Sequence, residues 1–431
     1  MKTTKKITLK NGLRIILVPQ PQNLAATVLI LVQAGSEYEA KVQNGVSHFL
    51  EHMMFKGTTD RPEPGMIAHE LTALGAQFNA FTGAEYTGYY AKAQAEKLPK
   101  ILELVSDMYL NPLFDEAEIE KERGVIIQEI NMYEDDLPAR AQRDFNNLVY
   151  GDQPAGWDIG GEKAIINALA RADFMAYRDK RYVMQGTVVV VAGKFAEAAT
   201  VAQIKKYFNA LPRRKAPAKT KTIERQSAPK IKLHFKESDQ AHLVLGFRAF
   251  DMFDPRRYAL RVLADLLGGG MSSRLFTRIR EKMGAAYYIG AGTDLSLDHG
   301  LFSASAGVDR TKIEPVISAI LDECAQLRDV AIPENELQKT KDHMIGGLVL
   351  GLETSDDLAS FYGSQEVLTG EVTPPAVLTE RIRKVTARDV QAVAKAIFKD
   401  KGLNLAIVGP YKNDAQFKRI LSIDKLRKSA K

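Results

Sequence analysis

The stretch Gly186-Thr187-Val188-Val189-Val190-Val191-Ala192-Gly193 reads as an apolar strand bounded by glycines. It returns 216 residues later as Gly402-Leu403-Asn404-Leu405-Ala406-Ile407-Val408-Gly409. The flanks repeat as well. Asp173-Phe174 opens a helix that leads to Tyr182, and Asp389-Val390 opens one that leads to Phe398. Further helical stretches follow both strands, at 196–210 and 413–423. Upstream, Leu74-Gly75-Ala76-Gln77-Phe78 echoes Met283-Gly284-Ala285-Ala286-Tyr287, and Glu118-Ile119-Glu120-Lys121 echoes Glu336-Leu337-Gln338-Lys339. Each half reads as strands, helices, a strand pair, long helices and a last strand. The chain is a duplication, and that order predicts an α+β fold of two homologous domains, each a mostly antiparallel sheet with helices on one side.

A length of 431 residues exceeds a single core, and 45% apolar with 26% charged residues is ordinary for a globular protein. Between Leu211 and Lys230 stand Arg213, Arg214, Lys215, Lys219, Lys221, Arg225 and Lys230 against one acid, Glu224, with Pro212, Pro217 and Pro229 among them. That segment carries the chain's whole formal charge of +6. Polar, self-repelling and proline-bearing, it reads as a solvated linker between domains at 1–210 and 231–431. Without interleaved aromatics it is a poor nucleic-acid surface, so no nucleic-acid partner is expected. The lone Cys324 excludes an intrachain disulfide. Met1–Lys6 is basic, but the next residues read as two strands joined at Asn11-Gly12 rather than as an apolar leader. With no long apolar run, a membrane span is not expected and the cytoplasm is the default location.

His48-Phe49-Leu50-Glu51-His52 is the chemically loaded segment. Histidines four apart on a helix share a face and can close on one ion. Glu51 falls near the same face, with a carboxylate able to take a proton from water. The helix is expected to end at Lys56-Gly57. At the approximately corresponding place the second half has Arg261-Val262-Leu263-Ala264-Asp265-Leu266-Leu267. Packing alone therefore does not demand the histidines. A third ligand is expected on the helical run Asp115–Ile130, where Glu122 and Glu129 lie seven apart on one face. Val125, Ile126, Ile127 and Ile130 give Glu129 an apolar setting, but spacing does not choose between the two glutamates.

These segments resemble the inverzincins, the pitrilysin/insulinase family of zinc peptidases that includes the mitochondrial processing peptidases, and the resemblance spans essentially the whole chain. It implies one Zn²⁺ per chain, held by His48, His52 and Glu129, with Glu51 as the base. It also implies that Glu122 orients a liganding histidine. Asn79, Ala80, Phe81 and Thr82 match the edge strand on which relatives hold substrate as an added β-strand. Gly268-Gly269-Gly270-Met271-Ser272-Ser273-Arg274-Leu275-Phe276 and Arg280-Glu281-Lys282-Met283-Gly284-Ala285-Ala286-Tyr287 resemble the family's arginine–tyrosine segment. Arg280 and Tyr287 are thereby substrate-binding and catalytic candidates. The glycines lack a P-loop's lysine and read as a flexible turn.

The resemblance thus implies a metalloendopeptidase acting on short or unfolded polypeptides. One half supplies the metal and the other, an inactive copy, supplies substrate contacts. With both sets of elements in one chain, a homodimer is expected. The alternatives are a non-catalytic structural core subunit of the same fold, or the catalytic subunit of a heterodimeric processing peptidase. His69, His234, His242, His299 and His343 are expected to be packing or surface residues.

Overall fold

A computed structural model describes residues 4–428; Met1–Thr3 of the basic start lie outside them. The first half of the chain contributes β1 (Lys5–Thr8), β2 (Arg14–Pro19), β3 (Ala25–Val32), α1 (Val46–Met53), α2 (Met66–Ala73), β4 (Gln77–Thr82), β5 (Thr87–Gln94) and α3 (Leu98–Leu110). Then come α4 (Glu116–Asp135), α5 (Leu137–Tyr150), α6 (Lys163–Ala168), α7 (Arg171–Arg181), β6 (Thr187–Gly193) and α8 (Glu197–Phe208). The second half contributes β7 (Lys230–Phe235), β8 (Gln240–Ala249), α9 (Arg257–Gly268), β9 (Ala286–Leu295), β10 (Gly300–Asp309) and α10 (Ile313–Asp329). It closes with α11 (Glu334–Leu350), α12 (Ser355–Thr369), α13 (Pro375–Arg383), α14 (Ala387–Ile397), β11 (Leu403–Gly409) and α15 (Ala415–Ile420).

The strands form two sheets of the same plan, β1-β2-β6-β3-β5-β4 and β7-β11-β8-β10-β9. In each, one pair is parallel (β2 with β6, β7 with β11) and the others are antiparallel. The repeated segments β6 and β11 hold equivalent interior positions, each flanked by one parallel and one antiparallel neighbour. β1 and β2 form the expected hairpin, closed across Leu9–Leu13, with Gly12 in the left-handed region at φ 95°. Both β4 and β9 are edge strands.

The chain divides into two compact units whose limits are not those of the sequence halves. Unit 1 is Met1–Ile130, Trp157–Thr220 and Val349–Thr373; unit 2 is Asn131–Gly156, Lys221–Leu348 and Pro374–Lys431. Two segments are exchanged, and each brings a helix to a sheet built by the other half. In unit 1 one sheet face, including Ile15, Leu17, Val28, Ile30, Val189 and Val191, meets α1 and α3. The opposite face, with Ile16, Val18, Leu29, Leu31, Val188 and Val190, is closed by Leu358, Ala359 and Tyr362 of α12. In unit 2, Leu243, Leu245 and Phe247 face the main helical layer. There Val244, Ala406 and Val408 meet Ala141, Phe145 and Val149 of α5 on the other face.

The α+β class is as expected, but helices do not stand on one side only. The unbroken valine run of β6 states the reason: a strand buried on both faces is apolar at successive positions instead of alternating. Gly363 of α12 lets that helix approach closely, since a Cβ there would stand 2.6 Å from Leu31 Cδ1.

The basic segment differs from a solvated linker too. Lys219 has a side chain only 8% exposed, paired with the buried carboxylates of Glu37 and Glu85 in unit 1. A lysine is buried when its charge is matched this closely. Nor are Gly268–Gly270 a loose turn: α9 ends at Gly268, where a Cβ would lie 2.2 Å from the backbone nitrogen of Ala291. Among the described residues, no helix is long and apolar enough to cross a membrane.

Candidate metal centre

Helix α1 buries Val46, Phe49, Leu50 and Met53 in the unit 1 core, which turns His48, Glu51 and His52 together onto its other side. The helix ends at Met53, one turn before the expected Lys56-Gly57. Helix α4 buries Ile119, Glu122, Ile126 and Ile130, a stripe at helical spacing. Its start is fixed by Asp115, whose Oδ1 accepts from the backbone of Ala117 and Glu118. Just before it, Phe114 holds a left-handed φ of 51°, its carbonyl accepting from Arg171.

The two helices bring three donor atoms together. His48 Nε2 lies 3.3 Å from His52 Nε2, and Glu129 Oε2 lies 3.6 Å from the first and 3.5 Å from the second. A tetrahedral ion with bonds of about 2.0–2.1 Å separates its ligands by roughly 3.3 Å. The donor set and its spacing therefore fit a zinc-sized ion. Without one, two imidazole nitrogens and a carboxylate oxygen would crowd a partly buried spot with few protons to share.

The two glutamates of α4 reach different atoms of the cluster. Glu122 accepts from His52 Nδ1 at 2.9 Å, on the ring nitrogen facing away from the cluster, and its other oxygen meets Lys56 Nζ at 2.5 Å. That bond leaves the lone pair of His52 Nε2 directed at the cluster. Burial opposes ionisation of Glu122, but the hydrogen bonds from His52 and Lys56 hold its carboxyl below the ordinary range. Val125, expected in the apolar setting of Glu129, is 50% exposed; Ile126 and Ile130 are buried. The more deeply buried carboxylate is Glu122.

The two histidines are held differently. Burial, with His52 beside it, pushes His48 down to about 4, which keeps its imidazole neutral. Its Nδ1 is buried and hydrogen-bonds to no group among the described residues. Glu51 stands on the same face as the histidines, and its Oε2 accepts from Thr82 Oγ1 at 2.6 Å. Burial raises the Glu51 carboxyl, and the Thr82 hydroxyl moderates that rise.

Strand β4 pairs with β5 from Gln77↔Lys92 to Thr82↔Thr87 and, among the described residues, has no strand on its other edge. Asn79, Ala80, Phe81 and Thr82 lie on it; Ala80 donates its backbone N–H to Asn79 Oδ1, and the Phe81 ring meets Tyr86 edge to face. Arg280 and Tyr287 belong to unit 2. Arg280 is exposed on a π-helical segment, Phe276–Lys282, with its guanidinium 5.2 Å from the Phe276 ring. Tyr287 is 76% exposed on the edge strand β9. Three participants were not read from the sequence: Lys56 against Glu122, the Thr82 hydroxyl on Glu51, and Glu39, whose carboxylate sits at the start of α1.

Residues 14–162 match "Insulinase (Peptidase family M16)", and residues 168–344 match "Peptidase M16 inactive domain". A Streptomyces coelicolor protein described as an uncharacterized zinc protease is 34% identical over 97% of this chain and 92% of its own length. One of the same description from Bacillus subtilis is 32% identical over 95% and 99%. In fold, the chain is similar to a protease from Helicobacter pylori, with a TM-score of 0.88 at 24% identity over 95% of this chain and all of that one. The fold and these matches define a peptidase. The chain belongs to the insulinase family, peptidase family M16, its first half matching the family's leading domain and its second the domain described as inactive.

Proposed function

We propose that the protein is a zinc-dependent metalloendopeptidase acting on short or unfolded polypeptides. The observation that carries this reading is the triangle of His48 Nε2, His52 Nε2 and Glu129 Oε2, with separations of 3.3 to 3.6 Å, beside the half-buried carboxyl of Glu51. The relatives named zinc proteases support zinc as the ion. Held by these three residues, zinc supplies a Lewis acid that polarises a peptide carbonyl and acidifies water. Glu51, raised by burial, is suited to take the proton of an attacking water and return it to the leaving amine. Thr82 keeps the Glu51 carboxylate in one orientation.

The unpaired edge of β4 supports an extended substrate adding along Asn79, Ala80, Phe81 and Thr82 through backbone hydrogen bonds. Arg280 and Tyr287 contribute donors toward the substrate carbonyl. The π-helix that carries Arg280 is a rare form frequent at functional sites, which supports a role for it. Because one chain holds both sets of elements, the working form is a cytoplasmic homodimer with one Zn²⁺ per chain.

The test compares zinc content and hydrolysis of quenched peptides for wild type and Glu51→Gln. The variant is expected to keep its zinc and lose turnover by at least about 10²–10⁴-fold. Full activity in the variant rejects Glu51 as the base, and absence of zinc from both proteins rejects the site.

A further inference from the structure

Helix α1 is short and begins without a side-chain cap of its own. Its first flanking residue is Gly45, with φ 95°, and no Ser, Thr, Asp or Asn side chain closes the first turn. The amide groups of that turn need acceptors from elsewhere. They find one in Glu39, a residue 5% exposed, six positions upstream of Gly45. Glu39 Oε2 accepts from the Gly45 N–H at 2.7 Å and from Asn44 Nδ2 at 3.0 Å, while Oε1 accepts from the Ser47 N–H at 2.8 Å. A carboxylate thus spans the first turn and opposes the positive end of the helix dipole. Ser47 is fastened a second time, its hydroxyl donating to Tyr177 Oη at 2.7 Å.

The residue after Ser47 is His48. His52 is aimed by Glu122 through its outer ring nitrogen, but the equivalent nitrogen of His48 has no hydrogen-bond partner among the described residues. The direction of the His48 ring therefore comes from the backbone of the first turn and from packing. We infer that Glu39 is a positioning residue for His48, doing through the main chain of α1 what Glu122 does for His52 through a side chain. This inference rests on the zinc reading above and adds a residue to it that neither the zinc motif nor its spacing contains.

The experiment measures zinc affinity of the full chain by chelator competition, with far-ultraviolet circular dichroism as the check on folding. Glu39→Gln is expected to fold as wild type and to bind zinc about 10–100-fold more weakly, the range found when a residue behind a metal ligand is removed. Against His48→Ala the same substitution adds no further loss, whereas against His52→Ala it keeps its full effect. Wild-type affinity in Glu39→Gln overturns the inference, and so does an equal loss in both histidine backgrounds, which marks a merely structural role. Should Glu39→Gln fail to fold, Glu39→Asp, which keeps the charge, takes its place, with a smaller loss expected and the same dependence on His48. Wild-type protein that binds no zinc removes the metal reading itself, a result distinct from any of these.

Discussion

Helices α1 and α9 hold corresponding places in the two units, each following the first strands of its half and packing on the edge strand of its own sheet. Helix α1 turns His48, Glu51 and His52 away from the core; α9 buries Leu260, Val262, Leu263, Leu266 and Leu267. The one carboxylate of α9, Asp265, is taken up by His343 Nδ1 at 2.9 Å. One fold therefore accepts either surface on this helix. Packing did not call for two imidazoles and a carboxylate on α1, and a buried imidazole nitrogen on His48 that bonds to nothing among the described residues works against stability. The difference between the copies is chemical, and it can be tested by making one resemble the other.

The largest effect comes from erasing the difference. His48→Ala brings α1 nearer to α9, and hydrolysis is expected to fall to background while the apo-protein melts within a few degrees of wild type. A collapse of the melting temperature in metal-free protein would mean that the histidine is needed for folding, and the comparison would fail. Next in size is the contribution of the second copy. Arg280→Ala and Tyr287→Phe, both exposed, are expected to cut kcat/KM by about 10²–10³-fold with zinc content and melting unchanged. Unaltered kinetics would leave unit 2 without a part in the reaction. Between the two glutamates of α4, Glu129→Gln should weaken zinc more than Glu122→Gln, whose expected loss is about 10–100-fold. The reverse order, measured by chelator competition, would exchange their roles.

Much of this comparison is legible in the sequence alone. The repeat of β6 in β11 was visible because both are apolar runs between glycines at a constant offset, and the histidine pair because helical spacing is local. The exchange of α5 and α12 was not legible. Phe145 and Tyr362 announce faces that need cover, but a sequence does not say which sheet supplies it. Lys219 read as solvated because its partners, Glu37 and Glu85, come to it from distant positions. Glu122 and Glu129 share a helix face, and only the way α4 meets α1 sends one to the outer ring nitrogen and the other to the cluster.

The exchanged helices give the comparison a stability form. A Cβ on Gly363 of α12 would lie 2.6 Å from Leu31 Cδ1 and 3.0 Å from Val190 Cγ2. Gly363→Leu should therefore cost about 1–3 kcal/mol through overpacking, read from denaturant melts. A Cβ on Gly346 of α11 would have open space around it among the described residues, so Gly346→Ala should stabilise by about 0.5–1 kcal/mol. A neutral Gly363→Leu would show that α12 does not press on the sheet as closely as the structure has it.

A last effect concerns the buried carboxylate of Glu39, which spans the first turn of α1. Burial pushes Glu39 up to about 7, although the donors from Ser47, Gly45 and Asn44 pull it down; Tyr177 is the titratable group facing it. An acid whose folded value lies above its unfolded one favours folding while protonated. Its contribution is complete below the unfolded value near 4.5, is lost as pH rises toward 7, and is flat beyond. The difference in stability between metal-free wild type and Glu39→Gln should accordingly shift against wild type across that window, by at most about 3 kcal/mol. A constant difference from pH 4 to 8 would show that folding leaves the Glu39 carboxyl at its ordinary value. The expected slope means that near neutrality the chain keeps a charge at the head of α1 which folding alone would not favour. Unit 2 caps α9 only locally, Asp254 accepting from the Arg256 N–H at 2.8 Å, and has no histidine on that helix to aim.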